Sequence, residues 1–180
     1  MMIEKFKPPS QIAGKNYLSA RAGKFSGVPQ RTVQAWTDAG LIIPATPTSG
    51  TGDRRKYSVL NCIEIGIIRS LSRDRLSFPV ITQVMEALRT GSPLTLEQVL
   101  SYDQAYMILR FYKSGNVGAT VVSNKPGTFG PRSGVKGEKR SFQSFWVNTT
   151  IPEDGDHVKT LIVDLKFISS EVLKEMAGSG

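Results

Sequence analysis

Seven side chains in the first third of the chain carry groups suited to gripping a nucleic acid. Gln30, Arg31 and Gln34 are spaced to share the outer face of a helix. Arg54, Arg55, Lys56 and Tyr57 follow as an unbroken run. Amide and guanidinium groups hydrogen-bond base edges, and cations neutralise phosphates. That is recognition chemistry. Bond-making chemistry has little to work with. His157 is the single histidine and adjoins the acidic turn Glu153-Asp154-Gly155-Asp156, and Cys62 is the single cysteine. No Cys–His pair and no histidine-rich metal set can be assembled from these. Asp154 and Asp156 read as a solvated turn rather than an acid–base pair. Neither a phosphate loop nor a dinucleotide fingerprint is present. The expectation is a binding protein without catalytic residue, cofactor or metal.

The elements that must position the first three lie between Tyr17 and Ile43. Leu18, Ala22 and Phe25 recur at helical spacing, with Arg21 and Lys24 on the opposite face. Ser19 is a candidate N-cap, and Gly27 sits where the helix must stop and turn. Pro29 suits the first turn of a second helix, and Gly40 the position just past its end. Val33 and Trp36 make its buried stripe, leaving Gln30, Arg31 and Gln34 outside. Two short helices joined by a tight turn fit a helix-turn-helix DNA reader. They also fit an ordinary helical hairpin with a solvated polar face.

Residues 41 to 58 read as a two-stranded wing turning near Ser49 to Gly52. Its consecutive cations suit phosphate contact, or a solvated edge guarded by charge. From Val59 the helical period returns, with Leu60, Ile63, Ile67 and Leu71 on one face and Ile68 beside them. After a break at Leu76-Ser77, Phe78, Ile81, Val84, Met85 and Leu88 form a second stripe. An antiparallel helix pair covering the helix-turn-helix core is expected.

The order of elements now carries a family resemblance. Gly27-Val28, Arg31-Thr32-Val33, Trp36, Gly40-Leu41-Ile42, Pro44 and Arg55-Lys56-Tyr57-Ser58, followed by an apolar helix, resemble the N-terminal DNA-binding domain of the MerR family. The likeness spans about Asn16 to Gly91. It implies Arg31 and Gln34 near the groove, and Arg55 and Tyr57 on the wing against the backbone. The candidate DNA-binding set is Arg21, Lys24, Gln30, Arg31, Thr32, Gln34, Arg54, Arg55, Lys56 and Tyr57. Gln34 stands where the family usually has Arg, Trp36 where it has Tyr, and Asn61 where Asp is usual. Trp at that position is common in excisionase-like relatives. The family's long dimerisation helix has no counterpart after Ser92-Pro93, where only a short helix follows; Thr95 and Gln98 fit a capping box there. One core-placed cysteine cannot make a thiol-based metal sensor.

From Ala105 the period becomes two. Strands are expected over Tyr106–Tyr112, Ala119–Val122, Phe142–Ile151 and Thr160–Ile168, the last two paired as a hairpin through Glu153–Asp156. Ser170 is a candidate cap for a short final helix through Val172, Leu173 and Met176. Between Asn124 and Ser141 runs a glycine- and proline-rich loop carrying Lys125, Arg132, Lys136, Lys139 and Arg140. It reads as a second nucleic-acid contact, a partner-binding flap or a solvated loop.

The net charge is +8 over 180 residues. Thirteen basic and six acidic residues up to Ser92 account for +7 of it. A basic first half beside a near-neutral second half suggests a polyanion binder carrying another module. The N-terminus lacks the apolar core of a signal peptide, and no run of about 18 apolar residues exists. A cytoplasmic, bacterial nucleoid-associated protein without a membrane partner is expected. The fold class expected is α+β: a MerR-like winged helix-turn-helix, then a small, mostly antiparallel β module with a short terminal helix. The divisions are a flexible arm over 1–15, the DNA-binding domain over 16–91, a linker with a short helix over 92–104, and the β module over 105–180. Double-stranded DNA is the expected partner, with a homodimer mate and an effector or protein partner at the second module as further candidates. An excisionase-like architectural factor, or a protein-interaction module with a degenerate helix-turn-helix, are the alternative readings.

Overall fold

The computed structural model describes residues 7–47, 54–90, 95–101, 104–113, 115, 117–124, 141–146 and 157–179. Two compact units emerge, one from residues 7–85 with 167–180, the other built on residues 86–166. The fold is α+β, as expected: a helical N-terminal region, then a small antiparallel sheet and a C-terminal helix.

In the first unit β1 (Tyr17–Leu18) runs straight into α1 (Ser19–Ser26), and α2 (Gln30–Asp38) follows. Gly27 adopts φ 65°, which ends α1 in the left-handed region that glycine tolerates best. Gly40 at φ 75° does the same after α2. Two local expectations need correction. Ser19 is the first helical residue and Leu18 the cap, with no side-chain capping bond. The reason is that Leu18 is held extended by pairing with Lys56, and this also leaves its side chain 40% exposed rather than in the core. In α2 the buried stripe is Val33 and Thr37, while Trp36 is only half-buried. Positions four apart stack more directly over one another than those three apart.

Of the expected arm, residues 7–15 are described. Ile12 and Ala13 both donate backbone N–H to Pro9 O, at 2.9 and 3.0 Å, and Ile12 is buried. Residues 9–15 thus form a turn anchored by one apolar side chain. Among the described residues the wing shows β2 (Lys56–Tyr57), which pairs antiparallel with β1, and a bridge from Thr46 to Lys56. The expected turn at 49–52 lies outside the described residues.

α3 (Val59–Arg73) is capped by Ser58 in a reciprocal box with Asn61. Residues 61–68 are all buried, so this helix is the axis of the unit. α4 (Phe78–Thr90) buries Ile81, Val84, Met85 and Leu88, as its spacing predicts, and leaves Phe78 exposed. Gly66 lets the final helix approach α3: a Cβ there would lie 3.0 Å from Ile168 and 3.2 Å from Val172.

In the second unit, α5 (Leu96–Leu100) carries the expected Thr95–Gln98 capping box. The sheet comprises β3 (Gln104–Tyr112), β4 (Val117–Asn124), β5 (Ser141–Trp146) and β6 (His157–Asp164). Its order is β5-β4-β3-β6, every pair antiparallel. The expected hairpin of the last two strands is therefore wrong: they occupy opposite edges. β3 takes an inner position, burying Ala105, Met107 and Leu109 on one face. An acidic turn shortens a connection but does not dictate which strand the chain then joins. The last strand also ends earlier than expected. Leu165 opens α6 (Leu165–Ala177), whose buried residues Leu165, Ser169, Val172 and Met176 follow helical spacing. Ser170 lies inside that helix, not at its cap. The basic segment 125–140 and the Glu153–Asp156 turn lie outside the described residues.

Candidate nucleic-acid interface

The turn between α1 and α2 is fixed by backbone before any side chain acts. Val28 N–H donates to Gly23 O at 2.8 Å, and a Cβ on Gly23 would come closer than 3.0 Å to Val28 O. From α3, the Arg69 guanidinium lies over Gly27 and donates to Ser26 O at 3.2 Å. A cation at the end of α1 complements the helix dipole there. Ser26 Oγ is buried, 2.7 Å from Cys62 O and 2.9 Å from Ala22 O, tying α1 to α3. Burial pushes the Cys62 thiol up to about 12, so it stays protonated and inert.

With α2 fixed, Gln30, Arg31 and Gln34 are exposed and Thr32 is half-buried. Tyr57 then couples α2 to the wing. Thr37 Oγ1 donates to Val33 O at 2.8 Å, so the Tyr57 hydroxyl, 2.9 Å away, donates to Thr37 Oγ1. Tyr57 is wholly buried. This corrects its expected contact with a DNA backbone: the side chain has no surface to offer a phosphate. Its work is to hold β2 against α2, which places the neighbouring cations.

Asn61 performs a similar service from α3. Its amide nitrogen donates to Ile43 O at 2.9 Å and to Glu64 Oε2 at 3.0 Å. Its oxygen accepts from Ala45 N and Ser58 N, both at 3.1 Å. One side chain thus ties the start of α3 to the chain leaving α2.

The result is an open groove lined by Ser19, Gln30, Gln34, Arg54 and Arg55. Gln30 Nε2 donates to Ser19 Oγ at 3.2 Å. Arg54 is exposed and Arg55 is 33% exposed, the latter paired with Asp38 at the end of α2. That hydrogen bond raises the Arg55 pKa further above its ordinary value, leaving the guanidinium permanently charged. The groove thus presents amides on one wall and cations on the other. Arg31, Lys24 and Lys56 are exposed but do not line it. Arg21 lies instead on a separate small depression with Gln11, Lys15 and Met176. Sequence reasoning missed Ser19 as a groove residue, Asp38 as the partner of Arg55, and Arg69 as the clamp on Gly27. No local signal marks them, since the partners are far apart in sequence.

A helix-turn-helix with a basic wing strand, its outer face polar, is a DNA-binding arrangement. Residues 19–88 match the family model described as MerR HTH family regulatory protein. This segment is similar to that family's N-terminal DNA-binding domain. The matched segment covers less than half of the 180 residues. No curated protein matches the chain. No described helix is long and apolar enough to cross a membrane.

Proposed function

We propose that the chain is a sequence-specific transcriptional regulator that reads double-stranded DNA with α2 in the major groove. The observation that carries this is the convergence of Gln30 and Gln34 from α2 with Arg54 and Arg55 from the wing on one groove. Gln30, Arg31, Thr32 and Gln34 reach base edges or adjoining phosphates. Arg54, Arg55 and Lys56 clamp the flanking backbone, with Lys24 and Arg21 as outer phosphate contacts. A Gln amide pairs bidentately with adenine, so Gln34 in place of the family's Arg favours A·T over G·C at its position. Residues 16–91 are the DNA-binding domain, and the β module serves an effector, a protein partner or a second copy.

The test is a salt titration on a duplex that the protein selects. Backbone cations set the slope of log K against log salt, about 0.9 per neutralised phosphate. Arg54→Ala is expected to lower that slope by about one without changing sequence preference. Gln34→Ala is expected to leave the slope unchanged and to relax preference at one base pair, at a cost of about 1–3 kcal/mol. Equal effects of both variants on slope and preference would remove the division of labour between helix and wing.

A further inference from the structure

Asp38 is an acid in a place where the fold has little use for it. It is the last residue of α2, where the helix dipole disfavours a carboxylate. Its side chain is 63% exposed, and its ion pair with Arg55 is 33% exposed on the other side. Pairs this wet contribute little to stability. Yet Arg55 lines the groove beside Gln30, Gln34 and Arg54. The carboxylate oxygen on Arg55 Nη1 stands where a phosphate oxygen would stand.

We infer that Asp38 is a built-in competitor for the DNA backbone on Arg55, holding down the phosphate-borne part of the affinity for every duplex. This rests on the proposed DNA reading and names a control on its affinity. Arg55 must either leave Asp38 for a phosphate or share itself between two anions. Both routes keep a negative charge a few ångströms from the DNA. The cost falls on every duplex alike, because phosphates carry no sequence. It therefore lowers the affinity for selected and random duplexes by the same factor and leaves their ratio unchanged.

The experiment compares wild type, Asp38→Asn, Arg55→Ala and the double variant, by fluorescence anisotropy on a selected duplex and on a mixed random-sequence duplex. Asp38→Asn is expected to bind the random duplex about three- to tenfold more tightly, the size of one exposed charge contact released. Its salt slope should steepen by up to about one, and its ratio of selected to random affinity should stay that of wild type. In the Arg55→Ala background the same substitution should gain less than twofold, because the cation it competes for is gone. Thermal unfolding of Asp38→Asn should match wild type, which excludes a folding effect. If wild type binds duplexes and Asp38→Asn binds the random duplex no better, the competitor role is overturned while the DNA reading stands. Weaker binding by Asp38→Asn would assign it to holding Arg55 in place instead. If neither protein binds any duplex, the DNA reading and this role fall together.

Discussion

Gly23→Val is expected to destabilise the helix-turn-helix unit by about 3 kcal/mol, the upper end of what overpacking costs. The position is inside α1, where glycine is ordinarily a poor choice and a side chain would gain helix propensity. The turn overrides that preference. A Cβ at Gly23 would press on the carbonyl oxygen of Val28. That oxygen cannot simply retreat. Val28 N–H is bonded back to Gly23 O, the Val28 side chain is buried, and Pro29 restricts the next φ. A β-branched side chain adds two methyl groups to the same collision. Gly23→Ala should cost less, about 1–2 kcal/mol, because its propensity gain offsets part of the clash. Chemical denaturation of the full chain measures both. An unchanged midpoint for the valine variant would mean that the turn is looser than the Val28–Gly23 hydrogen bond implies.

Asn61→Asp has the second large effect, and it depends on pH. The amide nitrogen that donates to Ile43 O and Glu64 Oε2 becomes an oxygen. A carbonyl loses its donor and two carboxylates face each other in a buried site, since Asn61 and Glu64 are 8% and 3% exposed. At neutral pH the loss should be about 3 kcal/mol. Repulsion disfavours the doubly charged state, so one carboxyl of the folded variant holds its proton to higher pH than the ordinary carboxylate range near 4. A raised folded pKa means that the folded form binds more protons than the unfolded form in the window between the two values. Stability there falls as pH rises and recovers as pH drops. The variant should therefore approach wild type on acidification from pH 7 to about 5. Unfolding midpoints measured across that range, for variant against wild type, decide it. A pH-independent gap would leave the lost hydrogen bonds as the whole cause.

The parts of the fold that were legible in the sequence are those whose causes are local. Gly27 and Gly40 mark their helix ends because only left-handed backbone closes those turns. The exposed face of α2 follows from spacing alone. The Thr95–Gln98 box could be read from two residues three apart. What escaped has causes distant in sequence. β1 is two residues long and exists because Tyr57 and Lys56 pair with it. Tyr57 looked like a surface hydrogen-bond donor, yet Thr37 claims its hydroxyl inside the core. Around Leu165 two periods overlap. Leu161, Val163, Leu165 and Phe167 alternate like a strand, while Leu165, Ser169, Val172 and Met176 repeat like a helix. The helix wins from Leu165 onward, leaving Phe167 62% exposed. In the candidate site, the cationic run and the amide face were readable, but their meeting on one groove was not. Nor was the Asp38–Arg55 pair, which spans 17 positions.

Whether α2 and the wing together read a DNA sequence is measured most directly by selection of bound duplexes from a random pool, repeated with the Arg31→Ala/Arg55→Ala double variant. The expected result is an enriched motif for wild type, with enrichment lost in the double variant while its unfolding midpoint stays near that of wild type. Retrieval of no motif by wild type, or of the same motif by the double variant, would contradict it.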